Sequence, residues 1–210
     1  MRQRLKSIIL RGSGTVMKFM IASDIHGSAF YCRRMLERYD KENADRLILL
    51  GDILYHGPRN DLPREYDPKK VIEMLNGRAA DILCVRGNCE AEVDQMVLSF
   101  PVMAEYAVWN MENRLIYITH GHNVSADNPP PLKNNDILLH GHTHVPACEE
   151  RPIIAGKGNH EEPDRKESFL YMNPGSVSIP KDGTEHSYMT FENGTFLWKR
   201  LEDGEVYRCR

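Results

Sequence analysis

Seven side chains of metal-binding type follow short apolar runs in this sequence. Asp24 and His26 follow the run 20–23, Asp52 follows 46–50, and Asn88 follows 82–85. His120 follows 115–118, and His142 and His144 follow 137–139. Carboxylate, amide and imidazole are ligands that borderline divalent metals accept. Each motif alone has a plain structural reading: Asp24-x-His26 as a helix cap with a surface histidine, Gly51-Asp52 as a turn, His142-x-His144 as a polar turn. Their joint placement, each directly after a strand-like run, points instead to one crevice at the carboxyl ends of the strands of a sheet. The reading is a two-metal site with Asp52 as the bridge.

The elements that must position these groups are legible from pattern. Runs 20–23, 46–50 and 81–85 are short and apolar, as buried parallel strands are. Between them, Ser28 is the expected N-cap of a helix to about residue 43, and Pro68 opens a second helix that ends at Asn76-Gly77. A short helix is expected from Glu90 to about Leu98. Beyond Pro101 the alternation changes: 102–109 and 115–119 read as a hairpin, with a helical turn near Leu132 and a strand over 136–140. Strands are expected over 168–172, 177–179, 187–192 and 195–201, the last two joined by Asn193-Gly194. Residues 155–167 read as an exposed polar loop. A βαβα half followed by a β-rich half predicts an α/β protein of two packed sheets flanked by helices.

At 210 residues, with 41% hydrophobic and 27% charged residues, the chain suits one soluble globular domain. A formal net charge of −3 gives no basic footprint for long nucleic acid, yet bound cations would still admit a phosphate substrate. Five cysteines with no CxxC spacing fit a reducing cytoplasm, and no apolar run approaches the ~18 residues that span a bilayer. Residues 1–16 are basic and lack a secretory apolar core, so they read as a disordered leader or a mis-assigned start, with the domain over 17–210.

The ordered motifs Asp24-x-His26, Gly51-Asp52 with Gly57-Pro58, Gly87-Asn88-Cys89-Glu90, Thr119-His120-Gly121-His122, Gly141-His142-Thr143-His144 and Asn173-Pro174-Gly175-Ser176 resemble the calcineurin-like metallophosphoesterases. Within them, the blocks 56–60 and 92–96 resemble the YfcE-type phosphodiesterases. The resemblance implies a four-layer α/β/β/α sandwich with two mixed β-sheets flanked by helices. It implies that Asp24, His26, Asp52 and His144 hold one metal, and Asp52, Asn88, His120 and His142 the other. Two such ions would clamp the attacking and leaving oxygens of an in-line displacement, with a hydroxide between them as the expected nucleophile. The ions are expected to be Mn²⁺, with Zn, Fe, Ni or Co as alternatives.

Cys89 stands where many members of the wider family carry a histidine able to protonate the leaving oxygen. A thiol with a pKa near ~8.5 is a poorer acid, which favours activated or diester substrates. A small buried hydrophobe is the bland alternative. Tyr55 departs from the asparagine usual in the subgroup. His56, Arg59 and His122 are the candidate substrate contacts, His140 a packed core histidine, and His160 and His186 solvated loop residues. The expected function is a cytoplasmic metal-dependent phosphodiesterase acting on a small phosphoester, with no membrane partner and room for a homo-oligomer. The alternatives are a phosphomonoesterase of the same fold and a non-catalytic binding scaffold.

Overall fold

The computed structural model describes residues 17–111, 113–153 and 167–209. The leader 1–16, His160 and nearly all of the expected loop 155–167 lie outside the described residues. The first half alternates β1 (Phe19–Ala22), α1 (Ala29–Glu42), β2 (Arg46–Leu49), α2 (Pro68–Asn76), β3 (Ile82–Cys84) and α3 (Glu92–Val97). The second half is β4 (Ala107–Met111), β5 (Arg114–Ile118), β6 (Ile137–Leu139), β7 (Ala147–Pro152), β8 (Ser168–Asn173), β9 (Ser187–Glu192), β10 (Thr195–Arg200) and β11 (Val206–Cys209).

These strands form two mixed sheets, ordered β11-β10-β9-β1-β2-β3 and β4-β5-β6-β8-β7. Strands β1, β2 and β3 run parallel in the first, and β5, β6 and β8 in the second. Every predicted ligand therefore leaves the carboxyl end of a parallel strand. Alternate residues of β1 and β2 explain the layering. Ile21, Ile48 and Leu50 meet Ile116, Ile118, Ile137, Leu139 and Met172 between the sheets. Met20, Ala22, Leu47 and Leu49 face the helices, through Cys32, Met35, Val71 and Leu75. Over the outer face of the second sheet, Val124, Ala126 and Leu132 of a loop pack on Leu138 and Tyr171. Among the described residues that layer is loop, and α1 and α2 lie against the first sheet.

The helix ends follow their sequence signals. Ser28 Oγ accepts the N–H of Tyr31 at 3.2 Å, and Asn43 closes α1 in the left-handed region. Asp67 caps α2 ahead of Pro68. Four expectations are corrected. The hairpin strand begins at Ala107, since 102–106 is irregular, and no helical turn forms near Leu132. Residues 177–179 are a bend, not a strand: Val177 and Ser178 donate to the carbonyls of Ser23 and Asp24 at 3.0 and 3.3 Å. His186 is half-buried, stacked on Tyr31 at 4.1 Å with Nδ1 on the Val177 carbonyl at 2.9 Å.

Candidate metal centre

The loop after β1 is built on the loop after β2. Asp24, His26 and Gly27 donate backbone N–H groups to the carbonyls of Gly51, Asp52 and Ile53 at 3.2, 2.9 and 2.8 Å. Beyond these strand ends the chain turns sharply. Asp24, His26, Asp52, His142 and His144 all adopt positive φ, at 59°, 50°, 55°, 66° and 63°. Side-chain-bearing residues occupy that region at a cost of about 1–3 kcal/mol each, and such strain gathers at functional sites. Here it turns the side chains inward instead of along the strand.

The result is a buried cluster of imidazoles and carboxylates. His26 Nε2 lies 3.2 Å from His144 Nε2, and these lie 3.6 and 3.3 Å from Asp24 Oδ1. His120 Nε2 lies 3.4 Å from Asp52 Oδ2, 3.1 Å from Asn88 Oδ1 and 3.1 Å from His142 Nδ1. Asp52 Oδ2 is also 3.7 Å from His26 Nε2, which puts Asp52 between the two groups. The far ring nitrogens of His26, His120 and His144 are engaged by the carbonyls of Tyr55, Leu50 and Ile179 at 2.8, 2.6 and 2.6 Å. A carbonyl only accepts, so these Nδ1 atoms carry protons, and the Nε2 lone pairs point at the shared centre.

That arrangement fits metal ions. Nε2 atoms facing one another at 3.2 Å need a proton or a cation between them. Asp24 Oδ1 is buried and has no hydrogen-bond partner, which is costly for a carboxylate oxygen unless a cation takes it. The groups Asp24-His26-His144 and Asp52-His120-His142 each bring ligand atoms within 4.8 Å of one another, as does His26-Asp52-Cys89.

The same groups also shift one another's proton affinity. Burial pushes Asp24 up, but the imidazoles of His144 and His26 outweigh it and hold the carboxyl well below its usual range. Burial also opposes charging of His120, yet Asp52 and Asp24 raise it to about 9. Burial and the neighbouring His120 lower His142 to about 4. Burial, then the Asp52 carboxylate, drives the Cys89 thiol upward.

A cleft of about 490 Å³ opens on this cluster. Arg59, Asn60, Asn88, Cys89, His142 and Lys181 line it. Of the candidate substrate contacts, Arg59 reaches the cleft, whereas His56 stands edge-on to Tyr55 and Tyr66. His122 lies beside His120, at 5.5 Å between ring centres, and bonds Asn123. Cys89 Sγ lies 3.3 Å from Asp52 Oδ2, and its backbone N–H donates to Asp52 Oδ1 at 2.9 Å.

A search of known families matches residues 17–195 to the calcineurin-like phosphoesterase superfamily domain. The chain belongs to that superfamily. It is 43% identical over 191 residues to phosphodiesterase YfcE of Escherichia coli K12, covering 91% of this chain and 96% of the relative. The solved structure of the E. coli phosphoesterase Yfce superposes with a TM-score of 0.82 at 42% identity, over 92% of this chain and 98% of that one. Vps29 from Entamoeba histolytica shares the fold, with a TM-score of 0.53 at 21% identity over 92% and 97% of the two chains. A metallophosphoesterase implies divalent ions, in agreement with the Asp/His cluster.

Three features of the site escape sequence reasoning. Lys181 is an isolated lysine in a polar loop, and nothing in pattern marks it as lining the cleft. Asn173 Nδ2 donates to the Gly141 carbonyl at 2.8 Å and to Thr143 Oγ1 at 3.0 Å, bracing the histidine turn. Ser176 and Ser178 hydroxyls both donate to the Asp24 carbonyl at 3.0 Å. The motif 173–176 was visible as a resemblance, but its bracing role needed the fold.

Proposed function

We propose that this protein is a cytoplasmic phosphodiesterase acting on a small phosphoester through two divalent ions, Mn²⁺ before Zn, Fe, Ni or Co. The observation that carries the reading is the orphaned Asp24 Oδ1 among imidazole lone pairs, with Asp52 between two such groups. Asp24, His26, Asp52 and His144 would hold one ion; Asp52, Asn88, His120 and His142 the other. Bound ions would supply the Lewis acidity that activates water and draws charge from the phosphoryl group.

The chain's own residues do the rest. Nδ1–H bonds to carbonyls fix the orientation of His26, His120 and His144, so each offers one nitrogen. Arg59 and Lys181 come to the cleft from different loops, and neither pairs with an acid among the described residues. They would bind phosphoester oxygens from outside the ligand cluster. Cys89, with Sγ 3.3 Å from Asp52 Oδ2, would stand beside the leaving oxygen as a weak proton donor. The relative's name, phosphodiesterase, supports the diester preference, and the net charge of −3 supports a small substrate over long nucleic acid. A scaffold role has no comparable support, because all seven proposed ligand positions hold residues suited to a metal.

The test is turnover of aryl, alkyl and cyclic phosphodiesters and of phosphomonoesters by metal-free protein reloaded with each ion. Metal-dependent turnover of diesters above monoesters is expected. Faster monoester turnover would make it a phosphomonoesterase, and no turnover with two ions bound would make it a scaffold.

A further inference from the structure

One buried carboxylate ties the Asp52 loop to the Asn88 loop. Glu90 is 3% exposed, one of few acidic side chains buried among the described residues. Its Oε2 accepts the backbone N–H groups of Asp52 at 2.9 Å and Gly87 at 2.5 Å, and its Oε1 accepts that of Ile53 at 2.7 Å. In return, Asp52 Oδ1 accepts the N–H of Cys89 at 2.9 Å. The two loops therefore close a ring of hydrogen bonds with no slack. A Cβ on Gly87 would overlap Asp52 and Glu90 Oε2, and one on Gly51 would overlap the Gly87 backbone. Asp52 is held at φ 55° inside this ring. Strained backbone of that kind persists only where its surroundings over-determine it.

The chemistry of the side chain is specific. Three N–H donors converge from two loops, and only a carboxylate offers two acceptor oxygens to them. Glutamine would turn an amide N–H toward one donor. Aspartate is one methylene shorter and would have to draw the loops together. The other end of the cluster shares Asp52 but has further supports of its own that do not pass through Glu90. Asp24 is held by Ser176, Ser178 and the backbone N–H of His142, and His144 by the Ile179 carbonyl.

We propose that Glu90 is a positioning residue for the ion held by Asp52, Asn88, His120 and His142. It sets the separation of Asp52 from Asn88, so both reach that ion together. The inference rests on the two-metal reading above.

The test titrates metal-free Glu90→Gln with Mn²⁺ by calorimetry, beside wild type, and follows diester turnover against Mn²⁺ concentration. Wild type should take two equivalents. Glu90→Gln should keep one within a few-fold of wild-type affinity and weaken the other by about 10–100-fold, the range for residues that orient ligands. Its turnover should fall at limiting Mn²⁺ and recover at high Mn²⁺, with KM for the diester nearly unchanged. Glu90→Asp should change in the same direction, and it carries the titration should Glu90→Gln not fold. Val71→Ala, in the helix-side core, serves as a destabilised control and should keep both ions. Two ions bound at wild-type affinity by Glu90→Gln, equal weakening of both, or the same selective loss in Val71→Ala would each overturn the proposal. Fewer than two equivalents in wild type would instead overturn the two-metal reading beneath it.

Discussion

Interactions from both groups of proposed ligands converge on Asp52. It faces His120 and His26, accepts from Cys89, and lies between two clusters of ligands. Asp52→Asn removes a charge and a strong oxygen donor from both metal positions while keeping the side chain's shape. It should leave a folded protein with little bound metal and no measurable diesterase activity, read by metal analysis and circular dichroism. Two equivalents retained in an active variant would remove Asp52 from its bridging place. Cys89 separates differently. Burial and the Asp52 charge push its thiol pKa upward, which makes it a weak acid. General acids contribute about 10²–10⁴-fold, and a thiol belongs at or below the low end. Cys89→Ala should keep both ions and lose more turnover on alkyl than on nitrophenyl diesters, whose leaving groups need no proton. Cys89→His should recover the alkyl substrates. Equal losses on both substrates would make Cys89 a packing residue, and loss of metal would make it a ligand. All seven proposed ligands were legible because each follows an apolar run. Glu90 and Lys181 were not, because hydrogen bonds between loops and the rim of a cleft leave no periodic trace.

The same physics decides which elements could be read. Strands β1, β2 and β6 are largely buried and apolar, and they announce themselves. Strand β7, Ala-Cys-Glu-Glu-Arg-Pro, is a polar edge strand whose pairing with β8 comes from the neighbour and not from its own pattern. Strand β11 is likewise an edge, paired only with β10. Residues 177–179 look like a strand because they are buried, yet their bonds go to the Asp24 loop. At the other end of the fold, Glu42 at the close of α1 joins three strand-side groups. It accepts from Lys18 at 2.8 Å, Lys199 at 2.6 Å and the Tyr188 hydroxyl at 2.8 Å. Burial opposes its charge, but Lys18, Lys199 and Tyr188 together lower its pKa. A carboxyl lowered in the folded state adds stability above its unfolded pKa and loses it as pH falls through the folded value. Glu42→Gln should therefore cost about 1–3 kcal/mol at pH 7, on the scale of hydrogen bonds to charged groups. The gap from wild type should close as pH drops below the ordinary glutamate range. Urea unfolding at pH 7, 5 and 3 reads both, and a gap that stays constant with pH would show that the charge contributes nothing.

On the scale of the whole molecule, the proposed ions would join the two sheets. Asp24, His26, Asp52 and Asn88 come from loops of the first sheet, and His120, His142 and His144 from loops of the second. Each proposed ion would therefore take ligands from both sheets, at the end where the strands finish in strained turns. Elsewhere the sheets meet through side chains such as Ile48, Ile118, Leu139 and Trp198, which need no metal. Metal removal should then leave the sandwich folded and loosen one end of it. An ion present at 100 times its Kd adds about 2.7 kcal/mol to stability. For a domain of this size each kcal/mol moves Tm by roughly 2–4 °C, so each ion should raise Tm by about 5–10 °C. Asp52→Asn should lose most of that rise. Amide hydrogen exchange should show where the stabilisation acts: chelation should speed exchange in the loops around residues 24–27, 51–57, 87–91, 119–122 and 141–145, and leave β9 and β10 protected. Uniform acceleration across both sheets would mean that the ions support global folding and do not merely pin the site. No change in Tm or exchange with saturating metal would mean that the cluster holds no ion between the sheets.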